Sequence, residues 1–182
     1  TSYGGFVTQA FVLKYPQRVS SMFMVTSSPV ITGRSRHIVE NWCHFNQAGE
    51  NRLYYDAMLA VIFSEAFFAE HSEALGVRRE WFVDTLKVLP DFAEGQYLLN
   101  KASLDDLDGD GFLDELFKIK CPTHIVAAEN DIVYPPKFSK MIAERIEGAY
   151  YTEIHGCGHA VVLEGSDQIN ELLKRHLETV LA

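Results

Sequence analysis

Thr1-Ser2-Tyr3-Gly4-Gly5 opens the chain. With a glycine before Thr1 the run would read G-T-S-Y-G, the G-x-S-x-G spacing that sets a serine on a sharp turn ahead of a helix. Residues 6–15 fit that helix. Phe6, Ala10 and Leu13 fall on one side of a 3.6-residue period, with Val7 and Phe11 beside them. The pattern stops at Tyr15-Pro16, because proline disfavours continuation through the residue before it. Residues 19–25, V-S-S-M-F-M-V, are then short, apolar and β-compatible, and Thr26-Ser27-Ser28-Pro29 closes them. The order is turn, helix, strand.

Beyond about residue 34 the character changes. Helical patterns succeed one another over about 35–47, 51–71, 78–89 and 91–104, with Pro90-Asp91 marking a break and Asp91 placed to cap the next helix. Aromatic side chains are dense here, among them Trp42, Tyr54, Tyr55, Phe67 and Trp81. They serve helix–helix contacts, and some could line an apolar pocket. Strand–helix alternation then returns. T-H-I-V-A-A, residues 123–128, reads as a buried strand; Asn130-Asp131 starts a loop; Pro135-Pro136 starts a helix to about Ile146. Residues 150–154 form a short strand, and Gly156-Cys157-Gly158-His159 a loop. Ser166 caps a last amphipathic helix that turns Ile169, Leu172, Leu173, Leu177 and Val180 inward. Two βα stretches flanking a helical insert predict an α/β fold with a mostly parallel sheet. The core would be 1–30 and 118–182, and the insert, 31–117, a helical cap.

Composition limits the function. The 182 residues suffice for one domain with a real core. A formal net charge of −9 argues against a nucleic-acid partner, whose phosphates it would repel. No apolar run approaches the ~20 residues of a membrane-crossing helix, and no secretory signal is visible in these residues. Three scattered cysteines, Cys43, Cys121 and Cys157, suit a reduced cytoplasm better than a disulfide scaffold, and their spacing is not that of a metal site.

Acyl transfer by serine needs a hydroxyl, an imidazole to take its proton and a carboxylate to orient the imidazole. Loops at the carboxyl ends of parallel strands can bring distant residues together for this. Ser2 precedes a helix on a glycine-flanked turn, Asp131 follows a strand in A-A-E-N-D, and His159 follows the last strand in H-G-C-G-H. That order resembles the α/β-hydrolase fold family. The likeness runs through S-Y-G-G-F-V-T-Q-A-F-V-L-K-Y-P-Q-R-V, F-K-I-K-C-P-T-H-I-V-A-A-E-N-D-I-V-Y-P-P and G-C-G-H-A-V-V-L-E. Ala128 departs from it, standing where a glycine is common. The resemblance implies Ser2 as nucleophile, His159 as base, Asp131 as acid and the Tyr3 N–H as oxyanion donor, with no cofactor or metal. It implies a small or medium apolar ester or lactone as substrate. The family also includes dehalogenases, perhydrolases, C–C hydrolases and acyltransferases, and a serine at position 2 disfavours the dehalogenases.

The resemblance covers only the C-terminal portion of the family's fold, about three strands. The five strands ahead of the nucleophile, the turn's first glycine and the second oxyanion donor have no counterpart. The expectations are that Ser2, next to a fraying end, is poorly positioned and that the chain is weak or inactive. The first strand's exposed edge should promote a homodimer or higher oligomer. The alternative is an inactive relic serving as an oligomeric binding or scaffold module.

Other residues carry weaker signals. Glu129 is a fallback acid. His155 reads as surface, His124 as core or cap-facing, and Cys157 as a spacer. Asp106, Asp108, Asp110 and Gly111 resemble the start of a calcium loop, but Phe117 stands where its twelfth-position glutamate belongs. The stretch reads as an acidic return from cap to core. Thr1 could act as an N-terminal nucleophile using its own amine, but nothing else in the sequence supports that architecture.

Overall fold

The computed structural model describes residues 1–86, 89 and 91–181. Its order tracks the apolar patterning closely. Helix α1 (Tyr3–Lys14) begins directly after Ser2 and stops before Tyr15-Pro16. Strand β1 (Met22–Val25) is shorter than the apolar run 19–25, since Val19 packs into the core ahead of the strand. Strands β2 (Thr123–Ala128) and β3 (Tyr150–Ile154) match their predicted spans. All pairing among the described residues is parallel, in the order β1-β2-β3, with Met24 opposite Ile125 and Val126 opposite Thr152.

The period of two sorts the strand side chains onto two faces. Met22, Met24 and Ile125 join Val12 of α1 and Ile142 of α6 (Pro136–Arg145) on one face. Val25, Val126 and Ile154 join Val161 of α7 (Val161–Glu164) and Ile169 of α8 (Ser166–Leu181) on the other. Helices therefore cover both faces, which explains why β2 is apolar on both sides.

Between β1 and β2 the chain runs through α2 (Gly33–Gln47), α3 (Asn51–Ile62), α4 (Glu65–Leu86) and α5 (Phe92–Asp106). The helix expected over 51–71 is broken at Phe63-Ser64. Phe63 is extended, at φ −96° and ψ 151°, and Ser64 Oγ accepts the Phe67 N–H at 3.2 Å, capping α4. The separate helix expected over 78–89 is instead the continuation of α4, which runs through Gly76 without a turn. The Pro90 break lies outside the described residues.

The last helix is rotated from its expected setting. Ile169, Leu172, His176 and Val180 form the line that faces the sheet, whereas Leu173 and Leu177, one position round, are 36% and 44% exposed. His176 is buried, its ring 5.7 Å from that of Phe23 and 6.2 Å from that of His124.

The acidic return segment packs against the core. Leu107 is fully buried and its carbonyl accepts the Ile31 N–H at 3.0 Å. Asp108 pairs with Arg36. Gly111, at φ +49°, lets the chain pass the Pro29 carbonyl, where a Cβ would lie 2.2 Å from the oxygen. No cluster of three or more His, Cys, Asp or Glu that could hold a metal occurs among the described residues. Cys43, Cys121 and Cys157 are free thiols. Among the described residues no helix is long and apolar enough to cross a membrane.

Candidate active site

Three chain segments converge at the carboxyl ends of the strands. Ser2 sits at the start of α1 with φ 50° and ψ −123°, a conformation that costs a non-glycine residue about 1–3 kcal/mol. Its surroundings fix it there. The Ser2 N–H donates to the Val25 carbonyl at 3.1 Å, extending the hydrogen-bonding edge of β1. The Ser2 carbonyl accepts from the Gly5 N–H at 2.8 Å and from Ser27 Oγ at 3.1 Å. Gly5 makes this possible, because a Cβ there would lie 2.2 Å from Ser27 Oγ. The expectation that Ser2 would be poorly held is therefore corrected. Contacts from β1 and the turn after it anchor Ser2, and sequence spacing does not show them.

Asp131 is buried in the loop after β2. Its Oδ1 accepts the N–H groups of Val133 and Tyr134, each at 2.8 Å, so the loop folds around the carboxylate. Its Oδ2 faces His159 Nδ1 at 2.8 Å. His159, also buried, turns its Nε2 to Ser2 Oγ at 2.9 Å. The structure thus brings together the three residues singled out in the sequence, in one run of hydrogen bonds. With Asp131 accepting at Nδ1–H, the neutral imidazole leaves Nε2 free to accept from the Ser2 hydroxyl.

Aromatic rings back the imidazole. Tyr3, Phe6, Tyr134 and His159 pack edge to face in series, with ring centres 6.0, 5.4 and 5.5 Å apart. Burial, and secondarily the Asp131 charge, push the Tyr134 hydroxyl well above its ordinary range, so it stays neutral beside the relay. Tyr3 opens α1, and the first N–H groups of a helix lack intrahelical acceptors and carry its positive end.

The fallback residues lie elsewhere. The Glu129 carboxylate accepts the Gly156 N–H at 2.9 Å and lies 3.4 Å from the exposed His155. His124 bonds Thr152 Oγ1 at 2.9 Å from within the sheet. Cys157 is buried, and burial followed by the Glu164 charge raises its thiol above the ordinary value. The Thr1 hydroxyl meets Thr26 Oγ1 at 3.3 Å.

Thr26 and Ser27 were not singled out as site residues. Thr26, fully buried at φ 43°, donates from Oγ1 to the His159 carbonyl at 3.3 Å. Ser27 braces Ser2. Their signal was the run of small hydroxyl residues closing β1, which reads equally well as an ordinary turn.

No family model matches the chain. Proline iminopeptidase PfmaB from Pestalotiopsis fici is 24% identical over 192 aligned residues, covering 97% of this chain and 65% of that protein. Among solved structures, MGS-M2, an alpha/beta hydrolase enzyme from a Medee basin deep-sea metagenome library, matches with a TM-score of 0.87 and 24% identity. That match covers 97% of this chain and 62% of the other. The enol-lactonase from Burkholderia xenovorans LB400 matches with a TM-score of 0.78 and 18% identity, over 97% of this chain and 63% of the other. The chain has the α/β-hydrolase fold, in part: it spans 62–65% of the length of these relatives.

Proposed function

We propose that this chain is the nucleophile-bearing part of a serine hydrolase acting on small or medium apolar carboxylic esters or lactones. The observation that carries the proposal is the unbroken run Ser2 Oγ–His159 Nε2 and His159 Nδ1–Asp131 Oδ2, at 2.9 and 2.8 Å. Ser2 Oγ attacks the carbonyl carbon while His159 Nε2 takes its proton. Asp131 holds the ring and stabilises the imidazolium. The Tyr3 N–H donates to the oxyanion. Collapse expels the alkoxide, which takes the proton back from His159, and leaves an acyl group on Ser2. Water, deprotonated by His159, then releases the acid and restores Ser2. The reaction so drawn calls for no metal or organic cofactor.

We read residues 31–117 as a cap. Along α4 runs a largely apolar groove of about 740 Å³, lined by Phe63, Phe67, Leu75, Trp81 and Leu163 with His71 and Arg78, and Ser2, Asp131 and His159 are not part of its lining. The name of the enol-lactonase neighbour is consistent with lactones. Tyr3 is the only oxyanion donor we assign among the described residues. One missing donor costs about 10²–10³-fold in rate, so turnover by this chain alone is expected to be slow. A covalent probe suits such a site. A fluorophosphonate should label Ser2, and p-nitrophenyl acetate should be hydrolysed above background, with both signals lost in Ser2→Ala. Equal background in the two proteins would refute the hydrolase reading in favour of a scaffold. We further propose self-association through the part of the outer edge of β1 that the Ser2 N–H, bonded to the Val25 carbonyl, leaves open. A single monomeric species in sedimentation at micromolar concentration would contradict it.

A further inference from the structure

Glu164, the last residue of α7, stands outside the relay yet joins the two segments that hold it in place. Its Oε2 accepts the Gly158 N–H at 3.1 Å, next to His159. Its Oε1 accepts the Ser64 N–H at 3.0 Å, at the bend between α3 and α4. One carboxylate thus grips the histidine loop and the insert at once.

The two segments also meet directly. On the far side of His159, the Ala160 N–H donates to the Ile62 carbonyl at 2.7 Å. Gly158 lies against the bend backbone to backbone. A Cβ there would fall 2.5 Å from the Ser64 nitrogen, 2.7 Å from the Phe63 carbonyl carbon and 2.9 Å from the Ile62 oxygen. His159 is therefore flanked by two residues pinned to the same three-residue bend. Ser64 is buried and caps α4 through its hydroxyl, so the bend moves with the start of that helix.

We infer that Glu164 is a positioning residue, tying the α3–α4 bend to the His159 loop so that the insert sets the geometry between His159 and Ser2. This rests on the reading of Ser2 and His159 as nucleophile and base. The carboxylate suits the task because both of its oxygens accept from fixed N–H donors. An amide would turn an NH₂ toward one of them, losing one bond and leaving donor against donor. Aspartate keeps both acceptors on a shorter arm.

Glu164→Gln and Glu164→Asp, compared with the unaltered chain by hydrogen–deuterium exchange and by kinetics, test the inference. In Glu164→Gln, peptides covering 62–68 and 156–160 should exchange about tenfold faster, the effect of one lost hydrogen bond. The β2 peptide should be unchanged, which also confirms folding. Fluorophosphonate labelling and kcat on p-nitrophenyl acetate should fall about 10–100-fold, as misplacement of a reacting group does, with KM within about twofold. Glu164→Asp should restore part of both signals. Unchanged exchange at 156–160 in Glu164→Gln overturns the tether. Faster exchange with an unchanged labelling rate overturns its link to the relay. If the unaltered chain does not label at Ser2, the hydrolase reading falls with that link, while exchange still decides the tether.

Discussion

Ser2 and Thr26 are the only non-glycine residues at positive φ among those described, and both touch the relay. Such strain persists only where neighbouring contacts over-determine it. Gly5 is one such contact. Gly5→Ala would drive a Cβ into Ser27, which holds the Ser2 carbonyl. Overpacking of this kind costs about 1–3 kcal/mol. The expected outcome is a lower melting temperature together with slower Ser2 labelling, read by thermal melt and probe. Asp131 separates two roles in a similar way. Asp131→Asn keeps one acceptor for the loop N–H groups but upsets the imidazole tautomer, and should lower hydrolysis about 10⁴-fold with the fold retained. Asp131→Ala also strands the Val133 and Tyr134 N–H groups, adding a loss of about 1–3 kcal/mol in urea unfolding. Equal stability of the two variants would argue against that loop-bracing role.

At the scale of elements, apolar patterning and punctuation by proline and serine located β2, β3, α1, α6 and α8 closely. The convergence of Ser2, Asp131 and His159 was legible as well, because each stands just beyond a strand or before a helix with few alternatives nearby. What the sequence could not show depends on tertiary contacts. The break at Phe63-Ser64 carries no proline or glycine; Ser64 caps α4 there, a weak signal inside an apolar run, and the histidine loop packs against the bend. The setting of α8 differs from the expected one because its apolar residues span two adjacent stripes, and periodicity does not say which faces the sheet. The structure makes the distinction measurable. Ile169→Ala should cost about 2–5 kcal/mol, the range for large-to-small changes in a core. Leu177→Gln, on the exposed stripe, should stay within about 0.5 kcal/mol. Chemical denaturation of the two variants checks this; comparable losses would place Leu177 in the core after all.

Across the whole molecule, acid should loosen the join between α8 and the sheet. Burial, then the neighbouring His176, lowers His124 below its ordinary 6.5, and burial does the same to His176. The Nε2 of His176 is buried without a hydrogen-bond partner among the described residues, so the folded state offers a proton there nothing to bind. The unfolded chain takes up these protons near pH 6.5 while the folded one resists. The stabilisation is therefore full above that pH and is lost as pH falls through it toward the lower folded values. The urea midpoint should drop between about pH 8 and about pH 5.5, and His176→Phe, whose ring can still pack against Phe23, should reduce the drop. An identical drop in the variant would acquit His176.

The bare glycine at 158 also limits how such a molecule could be rebuilt by recombination. Grafting a foreign set of helices between β1 and β2 looks like a matter of matching two junctions. Here a third seam lies in the middle of the graft, where main chain rides on main chain with no side chain to absorb a misfit. A donor insert would have to carry a bend of the same contour at that point. On the hydrolase reading, new specificities should then come more easily from changing residues along the helices than from exchanging the helices wholesale.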